Sequence, residues 1–262
     1  MHHLVWNMAP QIARFGPFRL RWYGLFFAIA FLLGYVIMAR LYHREGRSLE
    51  KLSSLFAYLF LGTIIGARLG HVLLYQPDYY VKHPWEIFMI WQGGLASHGG
   101  FVGVMISVYL YVKKYREMSF LQLADRLALP CLLTASLIRI GNFFNSEILG
   151  IPSNLPWAIV FTHVDNIPRH PAMLYEAVAY FLAFCVLYVA YLKTTIIQFP
   201  GRILGTTLVI CFLARFLIEF VKENQAAFEE NLVLNMGQLL SIPFMTAGVY
   251  LIYVSYEKPA AK

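Results

Sequence analysis

Apolar residues in this chain come in runs of about twenty, and most polar residues gather in the short stretches between them. A helix of about 20 apolar residues is long enough to cross the hydrocarbon core of a bilayer. Seven stretches reach or approach that length: 22–42, 53–75, 86–112, 120–138, 171–192, 202–221 and 236–256. The pattern predicts an all-α integral membrane protein with about seven transmembrane helices. Residues 139–170 break the rhythm with Pro152, Pro156, Pro168 and the apolar run Trp157-Ala-Ile-Val-Phe161. That segment predicts a small cap on the outer face with a strand pair, too short to fold alone. It belongs within one transmembrane domain covering residues 1–262. No tandem repeat, low-complexity tract or inverted repeat is visible, which argues against a transporter.

Composition agrees with the pattern. The chain is 59% hydrophobic and only 13% charged, whereas a soluble domain is about 25% charged. Its formal charge of +7 lies in short loops between apolar runs, which is a topology signal and not a nucleic-acid surface. Arg40, Arg44, Arg47, Lys51, Lys113, Lys114, Arg116, Lys193, Arg202, Lys258 and Lys262 all fall on one side if the spans alternate. That side is expected to be cytoplasmic, with the amino terminus outside and the carboxyl terminus inside. Opposite loops are poorer in basic residues: 76–85 has only Lys82, and 222–235 sets Glu223, Glu229 and Glu230 against Lys222. Arg14, Arg19 and Arg21 run against the trend. Cys131, Cys185 and Cys211 lie in apolar surroundings without a C-x-x-C pair, so they read as small buried residues. No cleavable signal peptide is expected at the amino end.

Polar groups inside the apolar runs carry the functional signal, because hydrocarbon does not tolerate them unless they satisfy one another or line a wet cavity. Arg139-Ile-Gly-Asn-Phe-Phe-Asn-Ser-Glu-Ile-Leu-Gly150 gathers Arg139, Asn142, Asn145 and Glu147 at the end of the fourth run. Arginine grips phosphate through two parallel hydrogen bonds, asparagine donates to head-group oxygens, and Glu147 is placed to hold a guanidinium. A polar network that only ties helix ends together is the alternative. In the sixth run Arg215 and Glu219 stand four apart, either as a self-contained ion pair or with Arg215 facing a cavity and Glu219 supporting it. In the second run Gly62, Gly66 and Gly70 suggest a helix-packing seam, with Arg68 snorkelling to the outer interface near Tyr75. The Gly93–Gly103 segment holds five glycines and His98, whose imidazole suits proton transfer near neutral pH or a plain structural role. Tyr23 in Arg21-Trp-Tyr-Gly24 and Glu176 in Tyr175-Glu176 sit near span ends. No metal-ligand spacing, Walker or Rossmann glycine pattern or nucleophile elbow is present.

These motifs, in this order over nearly the whole chain, resemble the prolipoprotein diacylglyceryl transferase family. The resemblance is carried by Arg21–Gly24, His98-Gly-Gly100, Arg139–Gly150, Pro168-Arg-His-Pro171 with Tyr175-Glu176, Arg215-Phe-x-x-Glu219-Phe and Met236-Gly-Gln-x-Leu-Ser-Ile-Pro243. Ile138, where the family usually has glycine, and Cys211, where many members have tyrosine, are departures. The resemblance implies a multi-pass enzyme of the bacterial cytoplasmic (inner) membrane, without cofactor or metal. Its substrates would be phosphatidylglycerol, drawn from the membrane lipids, and the signal peptide of a prolipoprotein with its lipobox cysteine. It implies catalytic roles for His98, Arg139, Arg215 and Tyr23, and substrate contacts from Arg139, Asn142, Asn145, Glu147, Gly150, Gly99 and Glu219. In that scheme Glu147 orients Arg139, Glu219 supports Arg215, and His98 takes the thiol proton. The rival readings are an anion transporter or lipid-binding protein and an intramembrane hydrolase using Ser97 and His98.

Overall fold

The computed structural model describes residues 3–15, 18–224 and 232–257. Glu229, Glu230, Lys258 and Lys262, used above for orientation, lie outside the described residues. Among the described residues six helices are long and apolar enough to cross a membrane. They are α1 (Trp22–Arg44), α2 (Leu49–Leu74), α5 (Phe120–Phe144), α6 (Ala172–Lys193), α7 (Arg202–Ile218, continued by a 3-10 turn at Glu219–Val221) and α8 (Met236–Glu257). Between α2 and α5 stand the short α3 (Pro77–Lys82) and α4 (Ser97–Tyr115). The third predicted span therefore differs, since its helix begins only at Ser97. Pro84 opens a 3-10 turn over Pro84–Phe88, and Gly93 and Gly94 take left-handed φ of 91° and 72°. Side chains with a Cβ rarely adopt that conformation, so these glycines turn the chain before the helix.

The chain divides into two compact units, Met38–Ala124 and Met1–Ile37 with Asp125–Lys262. In the first, α2 and α4 pack through glycine. A methyl group on Gly99 would fall 2.7 Å from Gly70 Cα, and one on Gly66 would fall 2.8 Å from Gly103 Cα. Backbones can approach this closely only where neither helix carries a side chain. Gly99 is thus a packing residue here. Arg68 is buried and donates to the carbonyls of Ile87 at 2.8 Å, Gly93 at 2.6 Å and Gly94 at 3.2 Å, and to that of Glu86. It does not snorkel. Its guanidinium replaces the helical hydrogen bonds that the irregular 86–94 segment lacks.

The second unit carries a cap. Parallel β1 (Leu4–Trp6) and β4 (Ile159–Phe161) and antiparallel β5 (Pro168–Arg169) form a three-stranded sheet in the order β1-β4-β5. A separate hairpin joins β2 (Gln11–Phe15) to β3 (Phe18–Arg21). The expected strand pair is present, but the amino-terminal strand joins it. Phe143, Leu149, Ile159, Phe161 and Met173 form the core below the sheet, with Trp6, Phe144 and Leu174 packed against it. This seats the cap on the end of α5 and the start of α6. At the other end of α7, both carboxylate oxygens of buried Asp125 accept from Gly201 N at 2.7 Å and Leu204 N at 2.8 Å. Asp125 so caps α7 from a different helix, satisfying amide groups that have no partner within the helix. The three cysteines are free thiols, Cys131 exposed on α5 and Cys185 and Cys211 half-buried, so the expected burial holds fully for none of them.

Candidate active site

The Arg139–Gly150 motif lies on the last turn of α5 and the loop that follows. Ser146 and Ile148 both take left-handed φ, 54° and 59°, which is uncommon for any side chain and strained for a β-branched one. The tight turn folds Glu147 back, so that its amide donates to Asn142 O at 3.0 Å. Its carboxylate then accepts from Asn142 Nδ2 at 3.1 Å and Asn145 Nδ2 at 3.2 Å. Asn142 Oδ1 in turn accepts from Arg139 Nη1 at 3.1 Å. The four polar residues form one chain, and Glu147 reaches Arg139 only through Asn142.

The carboxylate that holds Arg139 belongs to Glu176 on α6. Arg139 Nε pairs with Glu176 Oε2, and Glu176 is completely buried. Tyr180, one turn along α6, donates to the same oxygen at 3.3 Å. Arg139 thus commits Nε and Nη1 to the protein and has no partner at Nη2 among the described residues. Buried Lys222, just past α7, donates to both oxygens of Glu219 at 2.9 and 3.1 Å and stands 4.0 Å from Glu176 Oε1. Glu219 therefore supports Lys222, not Arg215. Its carboxylate also lies against the first turn of α8, where a methyl group on Gly237 would fall 2.5 Å from Oε1. The positive end of the helix dipole favours an anion there, and only glycine leaves room for it. Arg215 has neither hydrogen bond nor ion pair among the described residues. It and Arg139 both lie within electrostatic reach of the Tyr180 hydroxyl. The ring of Tyr23 covers the backbone of Gly141, 3.2 Å from where a Cβ would stand, which puts it between Arg139 and Asn142 along the chain.

Gly150 is the crossing point of three segments. Its amide donates to His170 O at 2.9 Å, Ile151 N donates to Val221 O at 3.0 Å, and Glu223 N donates to Leu149 O at 3.1 Å. A Cβ at 150 would fall 2.6 Å from Val221 O and 2.7 Å from His170 O. Its role here is close backbone approach, which fixes Lys222 beside Glu176. Arg169 locks the cap nearby. It is bound by Asp165 at 2.5 and 2.9 Å and by Glu223 at 3.3 Å. The Arg169 guanidinium holds the Asp165 carboxyl below the ordinary carboxylate value. Trp157 Nε1 donates to Tyr175 Oη at 2.8 Å, and the Tyr175 hydroxyl faces His170 Nδ1 at 3.1 Å.

His98 stands exposed in the first turn of α4, in the other unit, at one end of an apolar groove of about 640 Å³ running between α2 and α4. The structure brings Arg139, Asn142, Asn145 and Glu147 together, as their spacing suggested, and adds two further charged members, Glu176 and Lys222. Glu176 was noticed without a partner. Lys222 was read as loop charge, and nothing in its local pattern marks it as buried. Among the described residues no group of three or more His, Cys, Asp or Glu could hold a metal ion.

A sequence profile described as prolipoprotein diacylglyceryl transferase matches residues 10–254. The chain is 47% identical over 257 residues to a protein of Tolumonas auensis named phosphatidylglycerol–prolipoprotein diacylglyceryl transferase, covering 98% of this chain and 99% of the relative. Relatives of the same name from Chloroherpeton thalassium and Bacteroides fragilis are 47% and 40% identical. Each covers 98% of this chain, and the chain covers 96% and 97% of them. The polar cluster around Arg139 at the end of α5 lies inside the matched region, and the chain belongs to the prolipoprotein diacylglyceryl transferase family.

Proposed function

We propose that this protein transfers the diacylglyceryl group of phosphatidylglycerol to the lipobox cysteine thiol of a prolipoprotein, the first step of lipoprotein maturation. The sulfur forms a bond to the glyceryl carbon, and the carbon–oxygen bond to phosphate breaks. The electron pair leaves with the phosphate, and glycerol phosphate is released. The observation that carries this reading is two guanidinium groups with spare capacity: among the described residues Arg139 has no partner at Nη2 and Arg215 has no counter-ion, and both act on the Tyr180 hydroxyl. The departing phosphate gains charge, so cationic donors tighten their hold in the transition state.

In this reading Arg139, Asn142 and Asn145 hold the head group. Glu147 fixes the two amides, and Glu176 fixes Arg139. Arg215 stabilises the leaving phosphate, and Tyr23 helps to position lipid or preprotein. Glu219 acts through Lys222, and Gly150 and Gly99 act by letting backbones meet. The thiolate is the nucleophile and a free thiol ionises near pH 8.5, so a base is needed at neutral pH. His98 fills that role, taking the thiol proton directly or through water. The whole chain works as one transferase in the bacterial inner membrane, its amino terminus outside and its carboxyl terminus in the cytoplasm. No nucleic acid takes part.

The test is purified protein in detergent with phosphatidylglycerol and a lipobox peptide. The expected result is a peptide heavier by one diacylglyceryl group and stoichiometric glycerol phosphate. Fatty-acid release without peptide modification would instead favour a hydrolase built on Ser97 and His98. Anion flux in vesicles without turnover would favour a transporter.

A further inference from the structure

Glu176 Oε1 is buried and has no hydrogen-bond partner among the described residues. The Lys222 ammonium stands 4.0 Å from it, while binding both oxygens of Glu219. Lys222 and Glu219 are both nearly inaccessible. A buried lysine–glutamate pair that served only itself could be replaced by apolar side chains at little cost. What such a replacement would not supply is a second cation beside Glu176.

The charges of the buried network can be counted. Arg139 and Lys222 balance Glu176 and Glu219; Arg215, within electrostatic reach of the Tyr180 hydroxyl that binds Glu176, has no counter-ion among the described residues and adds one positive charge. Glu147 is exposed and engaged with the two asparagine amides, outside this set. A phosphodiester head group carries one negative charge. We propose that Lys222 is a positioning residue that sets this surplus, neutralising Glu219 and standing behind Glu176. When Arg139 turns charge toward the lipid phosphate, Glu176 still faces a cation and keeps its hold on Arg139 Nε. The site is thereby matched to monoanionic phospholipids and mismatched to the dianionic product it must release. This inference rests on the lipid-transfer reading above.

The test is a charge-counting series in the detergent assay, with wild type run beside it. Lys222→Met lowers the network by one charge and is expected to raise KM for phosphatidylglycerol at least about tenfold, the scale of a broken buried pair. Lys222→Arg keeps the charge and is expected to stay within about threefold of wild type. Lys222→Met with Glu219→Gln restores the count and is expected to recover most of the lost KM effect. Glu219→Gln alone adds a surplus charge, and inhibition by added glycerol phosphate is expected to strengthen. That last variant keeps the proposal testable if Lys222→Met does not fold. Unchanged KM in Lys222→Met, a double variant no better than the single one with the fold intact, or unchanged product inhibition in Glu219→Gln would each overturn the proposal. Transfer by wild type with variants that ignore the count sinks this inference alone. Absence of transfer by wild type sinks the function from which it starts.

Discussion

Arg139 divides one guanidinium among a carboxylate, an amide oxygen and an open edge, and a lysine has no comparable geometry. Three rotatable N–H groups on a single nitrogen cannot hold Glu176 and Asn142 while presenting a planar fork to phosphate. Arg139→Lys is expected to fold normally and lose about 100-fold or more in kcat/KM for transfer, measured by peptide mass gain. A lysine enzyme with full turnover would show that charge alone suffices. Ser146 lies on the opposite side of the balance between function and stability. It is held at φ 54° with its buried hydroxyl unpartnered among the described residues. Ser146→Gly removes both penalties and is expected to add about 1 kcal/mol of stability, read as a higher midpoint of thermal unfolding in detergent. At this scale the sequence was most legible in the grouping of Arg139, Asn142, Asn145 and Glu147, which their close spacing brings together. It was least legible in the pairing of charges. Spacing suggested Glu147 for Arg139 and Glu219 for Arg215, but Arg139 is held by Glu176 from α6 and Glu219 by Lys222 just past α7, while Arg215 has no hydrogen bond or ion pair among the described residues.

Elements in this protein meet where side chains are missing. The spacing of Gly62, Gly66 and Gly70 announced a seam, and α4 fills it with Gly99 and Gly103. The third span was read as one long helix because hydropathy does not register that Arg68 can stand in for backbone partners. Once that side chain clasps the carbonyls of 86–94, an irregular segment becomes tolerable next to the membrane. Gly150 performs the equivalent service for three extended segments. Gly150→Ala would drive a methyl group into the carbonyls of His170 and Val221, which belong to the backbone and cannot swing aside. We expect that substitution to destabilise the protein by about 1–3 kcal/mol and to shift Lys222, reducing transfer even at temperatures where the fold survives. Near-normal activity in this variant would mean that the crossing is loose.

For the whole molecule, hydropathy was sufficient to identify a multi-pass helical protein, and six of the helices meet the length and composition of a span. The division into two compact units was not legible, because α1 and α5 each run through a boundary without a change in composition. In the proposed reaction the attacking sulfur comes from the preprotein, so the three free thiols of this chain are bystanders. Replacing Cys131, Cys185 and Cys211 together by alanine is expected to leave turnover within about threefold, since free cysteines in apolar surroundings act mainly as small packing groups. Abolished transfer by an otherwise folded variant would refute a substrate-borne nucleophile.

The parallel pairing of Leu4–Trp6 with Ile159–Phe161 has a consequence for biogenesis. The first strand emerges from the ribosome long before its neighbour has been synthesised, and it must wait until more than half of the polypeptide has followed. Completion of this sheet is therefore a late event of insertion.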